Sequence, residues 1–146
     1  MPWWASCRKY GGLTIGIITV EQVEYMLREV YPPQKLKEQL LGSHEFYLAY
    51  IHEELADFGS IDCSTPDDYS MQNLYIDQTA QKTGLGRSVF HAMLADKSGE
   101  IKLRVNRLNI GAINFYFKQG FNIESVDDKD IGGGYQMNDF IMSRTI

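Results

Sequence analysis

The residues best suited to chemistry lie between Leu74 and Arg87, in the run LYIDQTAQKTGLGR. A stretch with strand character runs into Gln81-Lys82-Thr83-Gly84-Leu85-Gly86, and a helical pattern follows at once. The first turn of a helix leaves about four backbone N–H groups without partners, and the helix dipole adds roughly half a positive charge there. Glycines let a phosphate approach that backbone without meeting a β-carbon. Lys82 and Arg87 place two cations beside the loop in a chain of net charge −5. Together these are what a pyrophosphate needs. Taken alone, the loop reads equally well as an ordinary glycine-rich strand-to-helix turn.

Other chemistries are set aside by inspection. There is no H-E-x-x-H and no C-x-x-C, and His44, His52 and His91 show no ligand spacing, so no metal is expected. A Walker loop would need a lysine where Arg87 stands and a further glycine upstream. The dinucleotide fingerprint fails because its third glycine would fall at Val89.

A second element changes the weight of the loop: Asn109-Ile110-Gly111-Ala112-Ile113-Asn114-Phe115-Tyr116-Phe117-Lys118-Gln119-Gly120-Phe121. The pair resembles the GNAT superfamily of N-acetyltransferases. That family carries a Q/R-x-x-G-x-G/A loop, matched by Gln81, Gly84 and Gly86. Its later helix commonly reads N-x-x-A-x-x-F-Y-x-x-x-G-F, matched by Asn109, Ala112, Phe115, Tyr116, Gly120 and Phe121. The likeness spans roughly residues 13–146, and IGGGYQMNDFIM at 131–142 is similar to the ending of one bacterial subgroup.

The resemblance implies transfer of an acetyl group from acetyl-CoA directly to a primary amine of a small molecule or protein. It implies that acetyl-CoA, as co-substrate, meets Gln81, Lys82, Thr83, Gly84, Leu85, Gly86 and Arg87 through its phosphates. Backbone groups of Leu74, Tyr75 and Ile76 would pair with the pantetheine arm in a split between the strands at 71–77 and 101–106. Asn109 and Ala112 would lie beside the same cofactor, although asparagine is also a good helix N-cap and that role alone would explain it. Tyr116 is the expected catalytic residue: an unperturbed tyrosine has a pKa near 10, so it is protonated at neutral pH and can donate to the departing thiolate. A core-facing aromatic beside Phe115 and Phe117 is the plainer reading of the same residue. The attacking amine must lose a proton, and Glu45, Asp57 and Asp77 are carboxylates near strand segments, none of which is assigned as the base.

The elements that must hold these residues follow from period and punctuation. Thr19 with Gln22 reads as a capping box, Val20, Val23, Met26, Leu27 and Val30 recur at helical spacing, and Pro32-Pro33 ends that helix. Pro33 can open a second helix with Leu36, Leu40 and Leu41 buried and Gly42 as its stop. Glu45–His52 and Leu55–Cys63 read as a hairpin, 64–69 as a loop, and Met71–Asp77 as a third strand. A helix over Gly84–Lys97, a strand over Ile101–Asn106, a helix over Ile110–Gln119, and strands over Phe121–Val126 and Tyr135–Ser143 complete the chain. This order predicts an α/β (α+β) fold of one domain, 1–146. Its mixed, mostly antiparallel twisted sheet would carry helices on both faces.

Composition sets the remaining bounds. At 146 residues, 44% hydrophobic and 23% charged, the chain has the profile of a soluble single domain. No apolar run approaches the roughly 20 residues of a membrane span, and the start lacks a signal-peptide pattern. The acidic balance argues against nucleic acid as a partner, and two cysteines, Cys7 and Cys63, fit a reducing cytoplasm. Residues 1–12 form an atypical N-terminal segment with no convincing strand, so the family's usual first strand is expected to be missing. That would leave a sheet edge at Glu45–His52 and favour a homo-oligomer, a dimer first of all. Asp127, Asp128, Asp130 and Asp139 make the C-terminal segment acidic, which would suit a cationic amine. The alternative is a non-catalytic module that senses acyl-CoA, which would have no need of a proton donor at Tyr116.

Overall fold

The computed structural model describes residues 20–25, 28–29, 32–51, 53–76 and 84–146. Helix α1 (Val20–Tyr25) precedes α2 (Pro33–Leu41). Pro32 is extended at φ −67° and ψ 155°, and Pro33 takes the first helical position, where its missing N–H costs nothing. Strands β1 (His44–Ile51), β2 (Glu54–Thr65) and β3 (Asp68–Ile76) form a meander. Its second turn is Pro66-Asp67, with Asp67 at φ 58°. Helix α3 (Leu85–Leu94), strand β4 (Glu100–Asn106) and helix α4 (Ile110–Lys118) follow, then β5 (Asn122–Gly132) and β6 (Tyr135–Thr145).

The six strands lie in the order β1-β2-β3-β4-β6-β5, antiparallel throughout except for the β3–β4 pair. The β3–α3–β4 crossover is what allows that one parallel pair. Alternation then sorts the side chains. Ile61 of β2, Met71 of β3, Ile101, Leu103 and Val105 of β4 and Met142 of β6 are buried on one face. Val89, Phe90 and Met93 of α3, Ile113 of α4 and Phe121 complete that core. Phe90 is fully buried and meets the rings of Phe115 and Phe121 edge-on, at 6.3 and 5.6 Å between centroids. Truncating such a ring to alanine typically costs about 3–5 kcal/mol. Arg104, Tyr135 and Asp139 occupy alternate positions and so the other face, where the Tyr25 ring of α1 lies 5.1 Å from that of Tyr135. Helices therefore cover both faces of a mixed, mostly antiparallel sheet, as the order of elements predicted.

Several boundaries move. The expected loop at 64–69 is largely strand, because β2 and β3 continue to a two-residue turn. β5 runs to Gly132 rather than stopping at Val126, since it stays paired with β6 along its whole length. Leu40 and Leu41, expected in the core, are 56% and 81% exposed, because α2 packs on β1 at the margin of the sheet and its last turn has nothing to cover it among the described residues. Of the helix expected to continue past Tyr25 to Val30, Met26, Leu27 and Val30 fall outside the described residues, as do the N-terminal segment 1–12 and the question of a preceding strand.

Candidate active site

The parallel ladder between β3 and β4 is only four residues long, from Asp68↔Glu100 to Met71↔Leu103. Beyond it, among the described strands, β3 continues to Ile76 paired with β2 alone, and β4 continues to Asn106 paired with β6 alone. The point of separation coincides with an irregularity in β3. Ser60 and Ile61 of β2 are opposite Asn73 and Met71, so Gln72 is an extra residue that bends the strand. The sheet thus opens into a wedge between 72–76 and 104–106, where, among the described strands, the facing edges have no ladder partner and suit pairing with the amides of an inserted chain. This is the split expected from the sequence, and Leu74, Tyr75 and Ile76 form one of its walls by their backbone.

Because β3 and β4 are parallel, both end at the open side of the wedge, and the helix after each starts there. Gly84 is the N-cap of α3, in the left-handed region at φ 81° with no side-chain capping bond. A Cβ placed on it would meet nothing within 4 Å. The backbone therefore favours glycine at 84 for its conformation, a reason distinct from phosphate access, and among the described residues nothing stands in front of it. Leu85 is half-buried, Gly86 buried and Arg87 exposed at this helix start. Ser88 returns both its N–H and its Oγ–H to the Gly84 carbonyl, each at 3.1 Å. Gln81, Lys82, Thr83 and Asp77 lie outside the described residues.

On the other wall, Asn106 Oδ1 accepts from Leu108 N–H at 2.9 Å and the Asn106 carbonyl from Asn109 N–H at 2.9 Å, which turns the chain into α4. Asn109 caps α4 by accepting the Ala112 N–H at 3.2 Å. The capping role of Asn109 is thus direct. Tyr116 is half-buried at the margin of the core, its ring 5.5 Å from Phe115 and 5.6 Å from Phe121. Through Phe90, Phe115 and Phe121 these aromatics join α4 to α3, so the two helix starts are held in one rigid frame.

The carboxylates sort differently from their sequence appearance. Glu45 accepts from Lys97 Nζ at 2.7 Å and from the Tyr47 hydroxyl at 2.8 Å, and these bonds hold its carboxyl below the usual range. Lys97 is itself 4% exposed: burial disfavours its charge, but Glu45, Asp96 and Tyr47 together outweigh that and push its pKa up. Glu45 is therefore a latch between β1 and the end of α3, poorly suited to serve as a base. The side chain of Asp57 is outside the described residues.

On the face away from α3, Arg104 contacts Asp127 and places Nε 3.3 Å from Asp139 Oδ2. Arg107 pairs with Asp128 at 2.7 Å, and Asp130 accepts the Gly132 N–H at 2.8 Å. Asp139 is 4% exposed; burial raises its pKa, Arg104 pulls it back, and Asp127 adds to the rise. The acidic run is thus largely matched by two arginines of β4 and its following turn. Their partnership was hidden by separations of 21 to 35 residues. Among the described residues no group of three His, Cys, Asp or Glu is placed to hold a metal ion, and no helix is long and apolar enough to cross a membrane.

Against known proteins, residues 17–133 match the acetyltransferase (GNAT) domain family. No curated protein matches the sequence. Among solved structures, the PaiA N-acetyltransferase of Thermoplasma acidophilum in complex with coenzyme A superposes with a TM-score of 0.71 at 23% identity, over 90% of this chain and 82% of that one. Arabidopsis thaliana Naa50 with a bisubstrate analogue, CoA-Ac-MVNAL, gives 0.65 at 19% identity, over 80% and 82%. A GNAT family acetyltransferase from Elizabethkingia anophelis with acetyl-CoA bound gives 0.62 at 17% identity, over 79% and 84%.

Proposed function

The chain belongs to the GNAT acetyltransferase family, and from that premise we propose that it transfers an acetyl group from acetyl-CoA directly to a primary amine. The observation that carries the reading is the wedge between β3 and β4, opening beside two helix N-termini. The pantetheine arm is a chain of amides about one strand wide, and it would pair with the backbone of Leu74, Tyr75 and Ile76. Its phosphates would meet the segment from Gln81 through Lys82, Thr83, Gly84, Leu85 and Gly86 to Arg87, which in sequence joins two cations to a helix start. Asn109 and Ala112 would line the opposite wall. A backbone N–H near Ile76 would polarise the thioester carbonyl.

Tyr116 is the proposed general acid. The neutral amine nitrogen forms a bond to the acetyl carbon and releases one proton to water. The carbon–sulfur bond breaks, the departing thiolate takes the Tyr116 proton, and the tyrosinate is reprotonated from solvent. The acceptor is a small-molecule or protein amine, and the acting unit is a cytoplasmic homodimer. The test is calorimetry with acetyl-CoA, followed by CoA release measured against a panel of amines. Binding and amine-dependent release support the reading. Binding without release by any amine would instead favour an acyl-CoA sensor.

A further inference from the structure

On the face bearing α3 and α4, Met71, Leu103 and Val105 flank the wedge and are buried in the core. The opposite face differs between the two halves of the split sheet. On the half made by β4, β6 and β5, charge is matched. Lys102 meets Glu124 at 3.2 Å, Arg104 holds Asp127 and Asp139, and Arg107, just after β4, meets Asp128 at 2.7 Å. Further along, Tyr25 of α1 lies against the turn Gly132-Gly133-Gly134. It donates its hydroxyl to the Ile131 carbonyl at 2.8 Å, and a Cβ on Gly133 would come 2.7 Å from its ring. A cationic tail reaching this half would have to displace an arginine or a lysine from each of those carboxylates.

The half made by β1, β2 and β3 presents different chemistry. Tyr47 and Ala49 pack against the core, so alternation turns Phe46, Leu48 and Tyr50 to the other side. Cover thins along the strand: Phe46 is half-buried, whereas Leu48 and Tyr50 are 55% and 59% exposed. The uncovered end is the end at which the wedge opens. Leu48 is opposite Phe58 of β2, and Phe58 is opposite Tyr75 of β3, so one register row joins Leu48 to the wall of the wedge. Residues in one row share a face of the sheet. Two strand spacings, about 10 Å, separate the ends of the row. An apolar ligand gains by covering such a surface, and a charged one does not.

We propose that the acceptor is a small primary amine on an apolar body about 10 Å long, of the arylalkylamine kind, matched to the length of that row. Its nitrogen reaches the wedge while its body lies along the row from Tyr75 to Leu48 and Tyr50. The proposal rests on the acetyltransferase reading above and narrows its acceptor. A polyamine, which the acidic run would suit, finds its carboxylates taken and would set its second charge on an apolar floor. Pairing of another chain at the β1 edge would use main-chain groups and leave this face uncovered.

The test measures CoA release with 4-phenylbutylamine, 1,4-diaminobutane and n-propylamine, and acetyl-CoA affinity by calorimetry. It compares the wild type with Leu48→Asp, Tyr50→Asp and Leu40→Asp. The readout is the ratio of kcat/KM for 4-phenylbutylamine to that for 1,4-diaminobutane, which cancels differences in the amount of active protein. The wild type should favour 4-phenylbutylamine over both other amines about tenfold or more. Leu48→Asp and Tyr50→Asp should each lower the ratio about tenfold through KM, with acetyl-CoA affinity unchanged. Turnover of n-propylamine, too short to reach β1, should stay as in the wild type. Leu40 is 56% exposed in the last turn of α2, off the row, so Leu40→Asp adds the same charge and should leave the ratio unchanged. A ratio unmoved by both row variants, an equal fall in Leu40→Asp, or a wild type that prefers 1,4-diaminobutane would overturn the proposal. Wild-type protein that releases no CoA with any amine would overturn the acetyltransferase reading and this inference with it. Release with other amines but not with 4-phenylbutylamine overturns this inference alone.

Discussion

Gly84 allows two roles of glycine to be separated. Its φ of 81° is a conformation that costs a non-glycine residue about 1–2 kcal/mol. Part of that is offset by about 0.4–1 kcal/mol, because the unfolded chain loses freedom when glycine is replaced. With nothing within 4 Å of the new Cβ among the described residues, no steric term is added. Gly84→Ala should therefore destabilise by about 1 kcal/mol, a fall in Tm of about 3–4 °C for a chain of this length. Asparagine tolerates the left-handed region better than alanine, so Gly84→Asn should melt closer to wild type. Binding should not follow that order. If the acetyl-CoA phosphates occupy the open space, both side chains intrude on it, and each should weaken affinity about tenfold or more, equivalent to about 1.4 kcal/mol. Thermal melts and calorimetry on the same preparations read the two effects separately. A Gly84→Asn protein that binds acetyl-CoA like wild type would refute phosphate approach at this residue and leave Gly84 a purely conformational cap.

Three further outcomes are expected. Tyr116→Phe should lower turnover about 100- to 10,000-fold while leaving acetyl-CoA affinity intact, measured by CoA release and calorimetry; wild-type turnover in a folded variant would remove the residue from the mechanism. Glu45 has a folded pKa below its unfolded value, so its contribution to stability is present above about pH 4.3 and is lost as pH falls through the lower, folded value. Lys97→Met removes the partner, so the Tm gap between wild type and this variant should narrow from pH 7 to pH 3; a gap independent of pH would refute the coupling. Light scattering at micromolar concentration should show a dimer, because β1 is paired only with β2 among the described strands and exposes Leu48 and Tyr50; a monomer would refute it.

Much of this architecture is readable from local pattern. The aromatic-rich apolar run of EFYLAYIH, bounded by Glu45 and His52, places β1 within a residue, and Asn109 announces α4 by capping chemistry that the Ala112 bond bears out. What local pattern does not carry is pairing across distance. Nothing in MQNLYID or IKLRVN tells that their ladder stops at Met71 and Leu103, because the divergence depends on an extra residue opposite β2. Helical periodicity marked Leu40 and Leu41 as apolar but could not say that their helix lies where the sheet runs out. The acidic run 127–130 looked like free charge for the same reason: its arginines sit on another strand. Tyr25, the residue that grips the triglycine turn, carried no motif at all; three adjacent glycines were the available signal that another part of the chain comes close.

The short β3–β4 ladder also bears on how the molecule responds to heat and to its ligand. Four residue pairs join a meander of three strands to a second group of three, and past them neither half has a ladder partner along the wedge among the described strands. A bound chain of amides would supply those partners and act as a removable strand between the halves. Anything that binds the native form alone stabilises it by mass action, by about 2.7 kcal/mol at a hundredfold excess over Kd. Here that gain would be concentrated along Gln72–Ile76 and Arg104–Asn106, so amide exchange there should slow first on loading. The free protein would be least protected along the same seam, and its survival in a warm or proteolytic setting would track the supply of the ligand that closes it.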